Sequence, residues 1–313
     1  MKKSLRILII SCIALLIGGT QTTMAQADDW QTPVMTLGAS LTNSQRQGTI
    51  DVLSSKINNR NFQQVAVNGN TLVQYLNPAG ADFTSNSGVW SSALIEKTGR
   101  GSGINVEILK YNGRNNITTI TANQYRNAAL TAGISDANIY VTSATPIDGS
   151  GALAGVYAAF AQNGEQLNQS QVTAAQNEMG TLSKINNQNQ GQNGYSDAQL
   201  NNAVAQAKRQ MAQIGPNITV NQITNIVNNT INDNHLQNVI TNNQKQQIIN
   251  LMIKIRDSGA LKDNNFKQQA SKVSSIIKDN AHAIFNKVNT PENQNLLQQI
   301  WQNIVNFVSG FFH

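Results

Sequence analysis

Cysteine is nearly absent. Cys12 is the single cysteine among 313 residues, and it lies inside an N-terminal apolar run. Downstream of that run, disulfides and thiol chemistry are excluded. The chain must rely on the size of its core, and it is long enough to do so. Histidine is scarce too: His235, His282 and His313 all fall in the last third. A Ser–His–Asp or Cys–His catalytic set therefore has no base in the first half. No histidine stands at metal-ligand spacing from another histidine or a carboxylate pair, which argues against structural zinc. No cofactor is implied.

Charge is sparse, at 12% of residues. The formal net charge is +6, of which Lys2, Lys3 and Arg6 supply half. No basic stripe of the kind that neutralises phosphates is present, so nucleic acid is not an expected partner. Asn and Gln take the place of charge, especially in the second half. Apolar residues at helical spacing interrupt them, so they are read as solvated faces of helices. Long apolar runs are missing as well. The longest, residues 7–17, is about half of a bilayer-spanning length.

That run, the positive residues before it and Ala25-Gln26-Ala27 after it make a secretory signal peptide. Cleavage is expected after Ala27, with Ala25 and Ala27 as the small residues of the A-x-A rule. A retained anchor is the alternative, and the shortness of the run disfavours it. The apolar run continues past Cys12, where a lipoprotein signal would end.

The organising stretch is 93–108, ALIEKTGRGSGINVEI. Alternating apolar residues flank Gly99-Arg100-Gly101-Ser102-Gly103, which predicts a β-hairpin with a wide loop. Before it, 34–38 reads as a strand and Thr42 caps a helix, with Gln45 completing a capping box. A second strand is expected at 64–69 and a short helix at 70–76, ended by Asn77-Pro78. After it come a helix capped by Thr121 and stopped by Gly133, a strand at 137–142, and a small-residue helix at 149–160. These elements make an α+β fold: a small mixed sheet with helices, followed by an all-helical C-terminal region.

By composition the chain divides into a signal peptide (1–27), an α+β domain (28–165), a helical region (166–258) and a helical C-terminal extension (259–313). Residues 186–195, NNQNQGQNGY, read as a linker or exposed loop. The extension ends in an amphipathic helix at 290–312, capped by Thr290 and without charge from Asn293 onward. Its apolar stripe includes Trp301, Phe311 and Phe312, with Phe307 off the stripe. Three occupants suit such a stripe: the body of the same chain, a protein partner or second copy, and the lipid interface.

VMTLGASLT (34–42), GSGINVE (101–107) and YRNAALTAGISDANIYVTSATPIDGSGALAG (125–155) together resemble the YpuA-like predicted secreted proteins of Gram-positive bacteria. That family is a domain of unknown function. The resemblance spans roughly residues 32–258. It implies export and a shared fold, and it supplies no catalytic residues.

Chemistry is harder to find. The glycine loop lacks the Walker pattern and the dinucleotide fingerprint, so Arg100 is read as a solvated turn residue with a weaker reading as an anion contact. Two functional classes stay open. One is an exported, envelope-associated or secreted non-enzymatic binding or structural module. The other is a secreted cell-wall glycan hydrolase using carboxylates such as Glu96, Glu107, Asp136 or Asp148.

Overall fold

The computed structural model describes residues 30–165 and 167–287. The leader with Ala25 and Ala27, and the stripe with Trp301, Phe307, Phe311 and Phe312, lie outside the described residues.

The sheet starts from β1 (Val34–Gly38), an apolar run buried along its whole length. Strands covered on both faces read as continuous apolar runs, and β1 does. Helix α1 (Asn43–Ser54) begins at the Thr42–Gln45 capping box and leads to β2 (Gln63–Val67), parallel to β1. Helix α2 (Gly69–Leu76) is capped by Asn68. The chain then enters β3 (Ser91–Lys97), antiparallel to β1. Strand β4 (Ile104–Ile108), helix α3 (Ala122–Thr131) and strand β5 (Ala137–Ser143) complete the sheet. The order is β2-β1-β3-β5-β4.

This order corrects the expected hairpin. Both strands of 93–108 form, but β3 and β4 do not pair. Strand β5 lies between them, antiparallel to β3 and parallel to β4. The segment β4-α3-β5 is a parallel crossover, which returns its second strand beside its first. Insertion also buries Ile139 and Val141 and pairs both sides of β5. The glycine loop therefore spans two strand spacings, about 9.6 Å, rather than one.

Helix α1 and the 3-10 turn after it (Ser55–Ile57) cover one face, packing Leu53 and Ile57 on Met35, Leu37 and Leu94. The other face carries α3 and α4 (Ser150–Gln162). Helix α4 comes close because Gly155 leaves room: a Cβ there would sit 2.5 Å from Thr36 Oγ1. Over these lies a second layer of α5 (Gln169–Asn189), α6 (Asp197–Ile214), α7 (Val220–Asp233), α8 (Asn242–Asp257) and α9 (Asn264–Lys287). One cluster of buried apolar side chains runs from Val34 in the sheet to Ile277 in α9.

Two expectations fail in this layer. The stretch 186–195 is not wholly loop, since α5 continues through Asn189 and buries both Asn186 and Asn189. Leu182 and Ile185 carry the buried face of the helix that far. Nor do the amides all face water. Helix α6 touches α3, α5, α7, α8 and α9, so residues on several of its sides are enclosed. Its amides pair instead: Asn127 Nδ2 donates to Asn201 Oδ1 at 3.1 Å, Asn202 Nδ2 to Asn234 Oδ1 at 2.8 Å, and Asn234 Nδ2 to Gln206 Oε1 at 3.1 Å. Among the described residues no helix is long and apolar enough to cross a membrane.

Candidate functional site

The outer side of β4 is where the fold concentrates unused polar groups. Ala137 N–H donates to Gly103 O and Leu109 N–H to Val141 O, so odd-numbered residues of β4 face β5. Even-numbered ones turn their backbone groups outward. Arg126 of α3 reaches this edge. Its Nε donates to Ile104 O at 3.0 Å, its Nη2 to Val106 O at 3.2 Å, and its Nη1 to Asn123 Oδ1 at 2.6 Å. The side chain reaches because Arg126 lies on the buried stripe of α3 beside Ala129 and Leu130, and it is only 2% exposed. Burial lowers its pKa to about 10, still well above neutrality. A guanidinium across two edge carbonyls also closes β4 to strand addition.

A cleft of about 290 Å³ opens beside it, lined by Asn105, Val106, Glu107, Arg126, Tyr140 and Ile276. Glu107 lines this cleft with both carboxylate oxygens held by Lys56 Nζ, at 2.7 and 2.8 Å. Lys56 also stands 5.7 Å from the centre of the Tyr140 ring. Burial, then Glu96, raises the Tyr140 phenol pKa, so its O–H stays protonated.

The other acidic candidates are engaged as well. Glu96 pairs with Arg60 and accepts from Asn138 Nδ2 at 3.2 Å. Glu96 and Glu107 do share one sheet face. However, Glu96 is level with Asn138 and Glu107 with Tyr140, on opposite sides of β5. Asp148 Oδ1 accepts from the N–H and the hydroxyl of Ser150, both at 3.1 Å, in the turn before α4.

Asp136 explains the glycine loop. Its Oδ1 accepts from Gly103 N–H at 3.0 Å and from Gln269 Nε2 at 2.8 Å. Burial alone would raise its pKa, but these bonds, one from the Gly101 amide and the charge of Lys97 together lower it. The loop does cradle an anion, and that anion is internal. Gly101 and Gly103 take φ of +82° and +88° beneath α9, where a Cβ on Gly103 would sit 3.0 Å from Lys272 Cβ. Arg100 is exposed at the loop and makes none of these bonds.

A family model described as "Protein of unknown function (DUF1002)" matches residues 37–273. The chain belongs to this family. The uncharacterized protein YpuA of Bacillus subtilis (strain 168) is 28% identical over 226 residues, covering 72% of each chain. No solved structure matches. The DUF1002 match runs into α9, beyond the end of the resemblance at residue 258, so the helix that carries Gln269 belongs to the shared unit.

The DUF1002 region also holds charges that polarity alone did not reveal. Lys208 and Glu178 are fully buried and 2.8 Å apart, between α6 and α5. Lys208 Nζ also donates to Asn127 O at 2.8 Å, and Thr131 Oγ1 donates to Glu178 Oε2. At the N-terminal end of α6, burial raises the pKa of Asp197 to about 6, despite hydrogen bonds from Thr121 and Asn201. Their signal was positional. Lys208 continues the stripe Leu200, Val204, Met211, and Glu178 stands between Ala174 and Leu182. Among the described residues, no group of three or more His, Cys, Asp or Glu is placed to hold a metal ion.

Proposed function

We propose that this DUF1002 protein is exported and works at the cell envelope as a non-enzymatic binding or structural module. One observation carries the reading: Glu96, Glu107, Asp136 and Asp148 are each committed to a cation, a loop or a turn within the fold. A glycosidase needs one carboxyl to hold a proton and another to act as base or nucleophile. The leader, with its Ala25–Ala27 cleavage rule, supports export. The apolar stripe of 290–312, with Trp301, Phe311 and Phe312 on it and Phe307 beside it, is the proposed element for docking on a partner, on a second copy or on the envelope.

The test is fractionation into medium, wall and membrane, followed by crosslinking. The protein should begin at Asp28 and be recovered outside the membrane-enclosed fraction. Truncation after Asn289 should move it from the cell-associated fraction to the medium. Retention of Met1 and recovery from the cytosol sink the reading.

The glycan-hydrolase alternative rests on Glu96 and Glu107 sharing one face. Incubation with purified cell wall tests it. Release of reducing ends that disappears in Glu107→Gln would replace the binding reading with the enzymatic one.

A further inference from the structure

We propose that the cleft over β4 binds a small ligand through a carboxylate or phosphate group, held by the two N–H groups of Arg126 that make no bond among the described residues. The inference deepens the binding-module reading by naming the chemistry of the ligand.

Arg126 has five N–H groups, and three are used, on Ile104 O, Val106 O and Asn123 Oδ1. No described carboxylate pairs with it. Closing a strand edge needs two donors, and a neutral amide can supply them without burying a charge. A buried guanidinium without a counter-ion is costly, and its planar fork matches the paired oxygens of a carboxylate or phosphate. It also lines an open cleft rather than closed core.

The other walls agree with such a ligand. The Tyr140 hydroxyl makes no hydrogen bond among the described residues and is protonated, so it can donate. Asn105 uses one amide N–H on Asn138 Oδ1, at 3.2 Å, and keeps the second. Ile276 of α9 supplies an apolar wall. Glu107 is the one carboxylate among the lining residues, and Lys56 neutralises it from 2.7 Å, while Glu96, whose charge also reaches Tyr140, is paired with Arg60. A volume of about 290 Å³ suits a small molecule or the tip of a chain rather than a folded partner.

The experiment is an NMR titration of the full chain, observing the Arg126 Nε–H and the amides of Val106 and Ile108. Inorganic phosphate and acetate are added separately, with chloride holding ionic strength constant. Saturating shifts confined to these signals support the site, and the anion that saturates identifies the ligand group. Glu107→Gln should tighten binding about two- to five-fold, because it removes a partly screened like charge. Arg126→Gln should abolish binding. Should that variant fail to fold, Tyr140→Phe replaces it and should weaken binding several-fold. Shifts that never saturate, that spread over surface lysines, or that ignore Glu107→Gln and Tyr140→Phe overturn the proposal. The titration is blind to cellular location and to protein partners, so the site and the module reading fail separately.

Discussion

Two ion pairs of nearly equal length do opposite work in this molecule. Lys56 and Glu107 meet at 2.7 Å beneath the sheet, with side chains 32% and 53% exposed. Lys208 and Glu178 meet at 2.8 Å between α6 and α5, with both side chains fully buried. Water solvates the first pair whether or not it forms, so little is at stake. The second has no such alternative. Each partner is tolerable only because the other, with Thr131 and the Asn127 carbonyl, satisfies it. Distance alone carries no energy; the surroundings decide.

The sharpest way to break the comparison is Lys208→Met. It strands Glu178 in an apolar layer, and stability to denaturant should fall by about 3–5 kcal/mol. Adding Glu178→Leu should recover most of that loss, because a buried pair replaced by apolar residues is often neutral. A double variant as unstable as the single one would show that the pair is worth far more than its burial costs.

Asp197 sharpens the same contrast through pH. Its pKa is raised by burial to about 6, above the usual aspartate value. The folded state then holds a proton that the unfolded state has released, so its stability contribution falls as pH rises from about 4 to about 6. The loss should be about 1–3 kcal/mol and should level off above that window. Asp197→Asn should flatten that part of the stability–pH curve and leave the protein more stable at neutral pH. A difference curve without slope across this window contradicts the burial argument.

Thr42 offers an exposed comparison. It accepts from Gln45 N–H at 3.3 Å, and Gln45 Oε1 accepts from Thr42 N–H at 3.0 Å, in a solvent-facing box. Thr42→Ala should cost about 1 kcal/mol in denaturant unfolding, less than any break in the buried cluster.

What the sequence made legible follows the same division between local and enclosed. The box at Thr42, the cap at Thr121 and the stop at Gly133 were readable, because cap and helix lie within a few residues. Strands β3 and β4 were readable as strands, but their pairing was not. Whether β4 joins β3 or β5 is decided by the α3 crossover and by the burial of Ile139, which no local pattern records. The amides of α6 were read as solvated because polarity usually reports exposure. A helix enclosed by five others overrides that rule by pairing amide to amide. Arg126 was overlooked for a related reason: a charge at a stripe position reads as an interruption, although here it is the part of the stripe that reaches the β4 edge.

The smallest effect is expected at Lys56, and it tests the comparison from its other side. Lys56→Ala removes both hydrogen bonds to Glu107 and the cation near Tyr140. Exposed pairs are worth about 0.2–1 kcal/mol by double-mutant cycles, and salt screens them further. The cycle of Lys56→Ala with Glu107→Ala should return a coupling in that range, and it should shrink between low and high salt. Lys208 and Glu178, measured in the same way, should couple several-fold more strongly and keep that coupling in salt, since ions do not enter their layer. Equal couplings, or equal salt sensitivity, would mean that the layer over the sheet admits water and that its buried charges are solvated after all.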